Sequence, residues 1–181
     1  SDTFPVPSIV AFESSFSAFV RRKELRNDKA EEQPVIGLGE YMAKRNKDIL
    51  VILGPGEPYK TIESVLTIIK NALDNNAQRS SVFIGIGGGV ITDMTAFAAS
   101  IFKRGANCEL VPTTLLSMVD AAIGGKTGCD FDSYKNMIGS FFPAQKIHIC
   151  PSFIKTLPKS EYKSGLAEVV KTAMLYSPEL L

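Results

Sequence analysis

An apolar run, three consecutive glycines and a long helical pattern follow one another without a break between Ser81 and Gly105. The apolar run "SVFIGI" has the length and composition of a buried β-strand. The helical pattern "VITDMTAFAASIFKR" starts directly after Gly89 and is closed by Gly105, and glycine commonly ends helices. A strand that leads straight into a helix is the repeating unit of parallel sheets, which limits the chain to a small set of folds.

Other segments repeat this alternation of strand and helix. The runs at 48–54, 108–114 and 145–151 are apolar, and each has a glycine or a proline at or near its end. This pattern predicts three further strands. The run "SIVAFESSF" at 8–16 is consistent with a strand that enters a turn or a helix. The polar stretch at 21–34 is expected to be an exposed loop or helix end. The sequence therefore predicts an α/β domain with a mostly parallel sheet.

Apolar residues recur at helical spacing in two more segments. One covers 61–76, with Thr61 as its candidate N-cap, and the other covers 158–175. Between them, 115–125 is predicted to be helical up to its glycine pair. The stripes expected to face the core are Ile62, Val65, Leu66, Ile69 and Leu73 in the first segment, and Leu166, Val169, Val170 and Ala173 in the second.

The size and charge of the chain exclude several classes of partner. With 181 residues, we expect one α/β domain over 1–158 and the start of a second, helical domain at 159–181. A formal net charge of +1 argues against nucleic acid or an anionic membrane as a partner. No run is long enough to span a membrane. The three cysteines form no even set and no C-x-x-C motif, so we expect reduced thiols in a cytoplasmic protein.

The motif "GGKT" at Gly124–Thr127 has the wrong spacing for a nucleotide phosphate loop. A Walker A motif requires a glycine five positions before the glycine that precedes the lysine, and Asp120 occupies that position. A carboxylate there would face the triphosphate that such a loop binds. The bare backbone beside Lys126 therefore needs another explanation.

The glycine triplet is a candidate anion site. Gly87, Gly88 and Gly89 let a phosphate approach the backbone, and the following helix N-terminus favours negative charge. The alternative is a tight strand–helix turn without a ligand, because Val90 breaks the G-x-G-x-x-G pattern. Asp93, one turn into the helix, either complements the helix dipole or faces a ligand.

Two charged residues follow the strand at 48–54 and are expected at the same sheet edge. Glu57 has the chemistry to accept hydrogen bonds from ribose hydroxyls, and Lys60 has the charge to meet a phosphate. A solvated turn is the alternative.

A second set of charged residues is expected in glycine-rich or strand-end loops, where binding residues concentrate. Several cations beside a few carboxylates suit a polyanionic substrate whose hydroxyls must lose protons. The alternative is that the lysines are solvated and that Glu168 and Lys171 form only a surface pair at i,i+3. The set comprises Arg104, Asp120, Lys126, Lys135, Asn136, Glu168 and Lys171.

His148 is the only histidine, and its apolar neighbours favour a packed structural role. A catalytic zinc usually has three protein ligands, so a metal site made from these residues alone would be incomplete.

Seven motifs occur in the order and spacing of 3-dehydroquinate synthases, which are sugar phosphate cyclases. The resemblance covers about residues 54–175 and is carried by "GEPYKT", "GIGGGVITD", "FKRG", "VPTTLLSMVDAAIGGKTG", "KNMIGSF", "KTLP" and "GLAEVVK". One departure concerns residues 132–134, "DSY", because the family commonly has a His-Pro pair just before the position of Lys135.

The resemblance implies a two-domain enzyme with a Rossmann-like, NAD-binding α/β domain and a C-terminal helical domain that supplies metal and substrate ligands. It implies conversion of 3-deoxy-arabino-heptulosonate 7-phosphate to 3-dehydroquinate and phosphate, in the shikimate pathway of aromatic amino acid biosynthesis. NAD and a divalent metal, zinc or cobalt, are the implied cofactors. The family's two zinc histidines belong to the C-terminal domain, so we expect this chain alone to be inactive. Without that domain, part of the cleft surface would be an exposed apolar patch, so we also expect the chain to self-associate.

The resemblance also assigns roles by position. It implies substrate binding by Asp120, Lys126, Lys135, Asn136 and Lys171, phosphate contact across a homodimer interface by Arg104, and metal binding by Glu168. The implied cofactor contacts are Glu57, Lys60, Gly87, Gly88, Gly89, Asp93, Thr113 and Thr114.

Three other functions stay open on the sequence. The first is a paralogous cyclase that acts on sedoheptulose 7-phosphate, although "GGKT" together with "KNMIG" favours 3-dehydroquinate synthase. The second is a metal-dependent polyol dehydrogenase, which shares the glycine triplet and the following Asp93. The third is a non-catalytic nucleotide-binding module.

Overall fold

The structure is a computed structural model that describes residues 7–13 and 48–180, and it centres on a parallel sheet. Within those residues five parallel strands lie in the order β2-β1-β3-β4-β7. Their bounds are β1 Ile9–Glu13, β2 Ile49–Leu53, β3 Val82–Gly87, β4 Asn107–Pro112 and β7 Lys146–Ile147. The α-helices of the described residues are α1 Ile62–Asp74, α2 Gly89–Ile101 and α3 Lys159–Tyr176. This confirms the predicted α/β class with a mostly parallel sheet. The polar stretch at 21–34 lies outside the described residues.

β1 is an interior strand of this sheet, next to the edge strand β2, and is buried on both faces. It pairs with β2 on one side and with β3 on the other, and Ile9 is aligned with both Ile49 and Phe83. Successive side chains of a strand point to opposite faces. Ile9 and Ala11 accordingly pack with α1 and α2, whereas Val10 and Phe12 belong to a smaller apolar cluster. The continuous apolar sequence of β1 therefore follows from its burial on both faces.

α1 begins where the sequence predicts but buries a shifted stripe. The Thr61 side chain accepts a hydrogen bond from the Ser64 N–H at 3.3 Å, as an N-cap does. The buried residues are Val65, Ile68 and Ala72, while Leu66 and Leu73 are more than half exposed. The predicted stripe was therefore wrong at Leu66 and Leu73.

An antiparallel hairpin, which the sequence analysis did not predict, carries several candidate site residues. Its strands are β5 Lys126–Phe131 and β6 Tyr134–Phe141. Gly125 turns the chain into β5 with a φ of 65°, a conformation that favours glycine. The expectation that Lys126 and Lys135 lie in loops was thus wrong, because both are on strands.

The segment at 145–151 is strand only at β7, and His148 lies just after it. The His148 side chain is half exposed, and its Nε2 lies 2.8 Å from Glu109 Oε2. The predicted packed role was wrong because β7 is a two-residue strand that leaves this ring at the surface.

α3 meets the rest of the fold through a glycine. A Cβ on Gly165 would lie 2.6 Å from Leu115 Cβ and 2.7 Å from the Leu116 nitrogen. Gly165 and Ala173 are the buried residues of α3, whereas Leu166 and Val170 are exposed. The predicted stripe was wrong at Leu166 and Val170, because α3 contacts Leu115 and Leu116 through Gly165, which has no side chain. In the described residues, no helix has the length and apolar character needed to cross a membrane.

Candidate active site

A cleft of about 790 Å³ lies at the carboxyl edge of the parallel sheet. The strands run in one direction, so the residues that follow them meet at this edge although they are distant in sequence. The start of α2 and the segments after β2 and β4 form much of its wall. Nine of the predicted site residues line it: Glu57, Lys60, Gly88, Gly89, Asp93, Thr113, Thr114, Asp120 and Asn136.

The N-terminus of α2 opens onto this cleft. Gly88 is the N-cap and offers no side-chain hydrogen bond, so it leaves first-turn N–H groups without a capping side chain. A Cβ on Gly88 would lie 3.1 Å from Thr114 Cγ2, so the missing side chain lets the segment after β4 approach the helix. Such an N-terminus in a cleft wall favours an anion and fits the pyrophosphate of a dinucleotide.

Gly87 does not line the cleft, and packing explains its identity. It is the last residue of β3, and its carbonyl accepts a hydrogen bond from the Thr113 N–H at 2.8 Å. A Cβ on Gly87 would lie 2.7 Å from Ile91 Cγ1. The glycine therefore permits close contact between β3 and α2.

Lys60 joins two other candidate residues in the cleft wall. Its Nζ donates to Asp93 Oδ2 at 2.7 Å and to Asn136 Oδ1 at 2.6 Å. Lys60 is only 5% exposed, so its ammonium needs acceptors within the protein. Asp93 and Asn136 accept hydrogen bonds from two of its three N–H donors. A contact between Lys60 and a ligand phosphate stays a prediction.

Asp93 is a carboxyl group with a perturbed pKa. Burial raises its pKa above the ordinary value, and the nearby charges of Glu57 and Asp120 act in the same direction. The hydrogen bond and charge of Lys60 oppose this shift without cancelling it. Asp93 therefore holds its proton to a higher pH than an exposed aspartate does.

An exposed ion pair joins the turn after β2 to the hairpin. Lys135 Nζ lies 2.9 Å from Glu57 Oε1, and this hydrogen bond raises the pKa of Lys135. Glu57 lines the cleft but Lys135 does not. The predicted substrate lysine thus lies at the margin of the predicted cofactor site.

A second cleft of about 460 Å³ adjoins the first and is formed mainly by the hairpin. Asp93, Asp120 and Asn136 line both clefts, and Lys126 lines the second. Asp120 lies in a wide π-helical turn, Ser117–Ala121, of a kind often found at functional sites. A cation and a carboxylate on one small cleft suit an anionic ligand that also carries hydroxyls.

Glu168 and Lys171 form an ion pair on α3. The Glu168 bond raises the pKa of Lys171, and the charge of Asp120 adds a smaller effect in the same direction. Glu168 Oε2 is buried and, apart from this ion pair, has no hydrogen-bond partner in the described residues. That oxygen suits one metal ligand, but those residues contain no group of three histidine, cysteine or carboxylate side chains. They therefore do not form a metal site by themselves.

Arg104 lies apart from both clefts. It ends the short 3-10 turn after α2, so the length of that helix separates it from the glycines. Its φ of 66° is left-handed, and the residue is exposed. A role for Arg104 across a subunit interface stays a prediction.

Two acidic residues that the sequence analysis did not select also line the main cleft. Glu13 ends β1, and Glu161 lies in the first turn of α3. An acid at the end of a predicted strand is a signal that could have identified Glu13. Nothing local distinguishes Glu161 from other exposed glutamates.

The sequence matches a protein-family model and many curated relatives. The model described as 3-dehydroquinate synthase N-terminal matches residues 50–164. The 3-dehydroquinate synthases of a Sulfurovum species and of Nostoc punctiforme are 44% and 48% identical over 130 and 128 residues. These alignments cover 72% and 71% of this chain but only 37% and 35% of the relatives. The chain thus spans little more than a third of the length of these relatives.

Solved structures of sugar phosphate cyclases share the fold. A 2-epi-5-epi-valiolone synthase from Streptomyces hygroscopicus, with NAD+ and Zn2+ bound, superimposes with a TM-score of 0.81 and 26% identity. The match covers 99% of this chain and 47% of that one. A probable glycerol dehydrogenase from Sinorhizobium meliloti gives a TM-score of 0.63 at 12% identity, covering 94% and 40% of the two chains, which shows only that the fold is similar.

Proposed function

Because this chain belongs to the 3-dehydroquinate synthase family, we propose that it forms the NAD-binding part of an enzyme that makes 3-dehydroquinate and phosphate from 3-deoxy-arabino-heptulosonate 7-phosphate. The observation that carries the proposal is the pair of adjoining clefts. One has an open helix N-terminus suited to a dinucleotide, and the other combines Lys126 with Asp120.

The main cleft suits NAD. The first-turn N–H groups of α2 would bind the pyrophosphate, and the Glu57 carboxylate would accept hydrogen bonds from a ribose. Thr113 and Thr114 provide further hydroxyls on the same wall. NAD, when bound, would reversibly accept a hydride from the ring carbon that carries a hydroxyl, while that hydroxyl loses its proton. The 2-epi-5-epi-valiolone synthase, which has NAD+ bound, supports this choice of cofactor.

The second cleft suits the substrate. The Lys126 ammonium would bind an anionic group of the sugar phosphate, with Lys135 and Lys171 as further cations nearby. The Asp120 carboxylate would accept a hydrogen bond from a ring hydroxyl and so favour loss of its proton. We assign Arg104 to a phosphate contact in a homodimer and place the enzyme in the cytoplasm. Glu168 is proposed as one carboxylate ligand of a zinc or cobalt ion whose other ligands lie outside the described residues.

We also propose that residues 1–158 act as the dinucleotide-binding domain and that residues 159–181, which include α3, belong to a second, helical domain. Gly165 packs α3 closely on the segment after β4, and Lys171 of this helix lies near enough to Asp120 for that charge to raise its pKa.

A sugar phosphate cyclase with a different substrate is the second candidate. The high TM-score of the 2-epi-5-epi-valiolone synthase favours it, and so does the hairpin turn at Asp132, which departs from the family pattern. The higher identity to 3-dehydroquinate synthases supports the first proposal.

Phosphate release by the whole protein, measured with NAD and each sugar phosphate in turn, tests the proposal. We expect release from 3-deoxy-arabino-heptulosonate 7-phosphate without net NADH accumulation. Release from sedoheptulose 7-phosphate alone would show the alternative substrate, and NADH accumulation with a polyol would show a dehydrogenase. A non-catalytic module would release no phosphate, and Lys126→Ala would then have no activity to remove.

A further inference from the structure

Asp130 occupies an irregular position in the β5–β6 hairpin. Cys129 pairs with Ile138 and Phe131 pairs with Tyr134, so the single residue Asp130 lies opposite residues 135–137 of β6, as at an enlarged β-bulge. Asp130 instead bridges to Thr61, and its N–H donates to the Lys60 carbonyl oxygen at 2.8 Å. The bulge thus attaches the hairpin to the segment that carries Lys60.

The Asp130 side chain makes a second connection. Its Oδ1 accepts a hydrogen bond from the Asn136 backbone N–H at 2.7 Å. Asn136 has a φ of 52°, a left-handed conformation that asparagine tolerates but that its surroundings must stabilise. The Asp130 carboxylate supplies an acceptor for the N–H of this residue, and a charged acceptor forms a stronger bond than a neutral one.

These two connections meet at the Lys60–Asn136 contact. The Lys60 ammonium donates to Asn136 Oδ1 at 2.6 Å, and both residues line the main cleft. Asp130 fixes the backbone of Lys60 on one side and of Asn136 on the other, yet it lines neither cleft.

We propose that Asp130 is a positioning residue of the active site, whose carboxylate holds Asn136 in its left-handed conformation and so directs the Asn136 side chain to Lys60. This inference rests on the proposed function. Asp130 touches neither cleft, so it acts through Lys60 and Asn136 and not on the substrate. The Asp130 charge also acts on Lys135, which precedes Asn136 in the chain. It raises the pKa of Lys135, but to a smaller degree than Glu57 does.

Three variants of the whole protein test the role. Asp130→Ala removes the acceptor, and Asp130→Asn keeps a neutral acceptor in its place. Asp132→Asn is the matched control, because it removes the same charge from the same hairpin and asparagine tolerates the φ of 54° at that position. We expect Asp130→Ala to lower kcat/KM for the sugar phosphate roughly tenfold to hundredfold. The loss in Asp130→Asn should stay below about fivefold, and Asp132→Asn should match the wild type.

Amide hydrogen exchange gives a readout that does not depend on activity. We expect the Asn136 amide to exchange faster in Asp130→Ala and to an intermediate degree in Asp130→Asn, while the paired amides at 138–140 keep their protection. If Asp130→Ala does not fold, Asp130→Asn still decides the question. Unchanged exchange at Asn136 in the folded Asp130 variants would overturn the proposal, as would equal losses of activity in Asp130→Ala and Asp132→Asn. Absence of phosphate release by the wild type would refute the proposed function, and exchange at Asn136 would still test Asp130.

Discussion

Lys135 Nζ lies 2.9 Å from Glu57 Oε1, so a cation predicted to bind substrate is paired with a carboxylate predicted to bind cofactor. Both side chains are substantially exposed, and such pairs contribute little to stability. We expect Lys135→Met to leave the melting temperature nearly unchanged but to raise KM for the sugar phosphate. Thermal unfolding and steady-state kinetics check this. A large drop in melting temperature with unchanged KM would show a structural role instead.

The Lys60–Asp93 pair, unlike the exposed Lys135–Glu57 pair, should contribute strongly to stability. Its side chains are 7% and 17% exposed, so Lys60→Met leaves Asp93 without its cation in a buried place. We expect a loss of about 3–5 kcal/mol in the free energy of unfolding, measured by urea titration. Lys70→Met breaks the exposed Lys70–Asp74 pair, also 2.7 Å apart, and serves as the control. Equal effects of the two substitutions would contradict the expectation.

Gly89→Ala should separate cofactor binding from folding. A Cβ there would lie 3.4 Å from Ala121 Cβ, which is ordinary van der Waals contact. We therefore expect an unchanged melting temperature. The added methyl group beside the open N-terminus of α2 should weaken NAD binding by at least about tenfold, or roughly 1.4 kcal/mol. Calorimetric titration with NAD measures this, and unchanged affinity would place the pyrophosphate elsewhere.

Glu109 should make the free energy of unfolding depend on pH in the acidic range. The His148 hydrogen bond is the main cause that lowers the pKa of Glu109 below its ordinary value of 4.5, with Lys146 contributing further. A lowered folded-state pKa means that the stabilisation is complete above pH 4.5 and is lost as the pH falls below it. The stability difference between wild type and Glu109→Gln should therefore shrink on acidification. Urea titrations at several pH values test this, with Glu63→Gln as an exposed control, and a constant difference would contradict it.

Gly165→Ala should destabilise the contact of α3. Alanine favours helices, but its Cβ would lie 2.6 Å from Leu115 Cβ and 2.7 Å from a backbone nitrogen. We expect a net loss of about 1–3 kcal/mol in the free energy of unfolding, as for other overpacked sites. Ser164→Ala, on the exposed side of the same helix, should be close to neutral. A stabilised Gly165→Ala would mean that the helix moves away at no cost.

The parallel sheet and its ligand edge could be predicted because their signals are local. The apolar run before Gly87 and the helical pattern after Gly89 each carry their own periodicity, and the direction of the strands then places Glu57, Asp93 and Thr113 at one edge. No contact between distant residues had to be known for this step.

The hairpin could not be predicted in the same way. Residues 126–141 are rich in glycine and polar side chains, and nearly all of β6 is exposed, so neither strand shows a clean apolar alternation. Backbone pairing and the packing of β5 against α2 form the hairpin. The link from Asp130 to Asn136 depends on a bulge that only the folded chain reveals. The buried face of α3 was predicted wrongly for a related reason. Gly165 makes its contact with the rest of the fold, and a glycine does not stand out in a pattern of apolar side chains.

The position of β1 between β2 and β3 has a consequence for how the chain acquires its fold. Ile9 pairs with Ile49 and with Phe83, so β1 must wait for partners that are synthesised later. Pairings between such distant segments close large loops and form slowly. Until β3 leaves the ribosome, β1 lacks one of its two neighbouring strands, and an unpaired apolar strand edge of this kind is prone to aggregate.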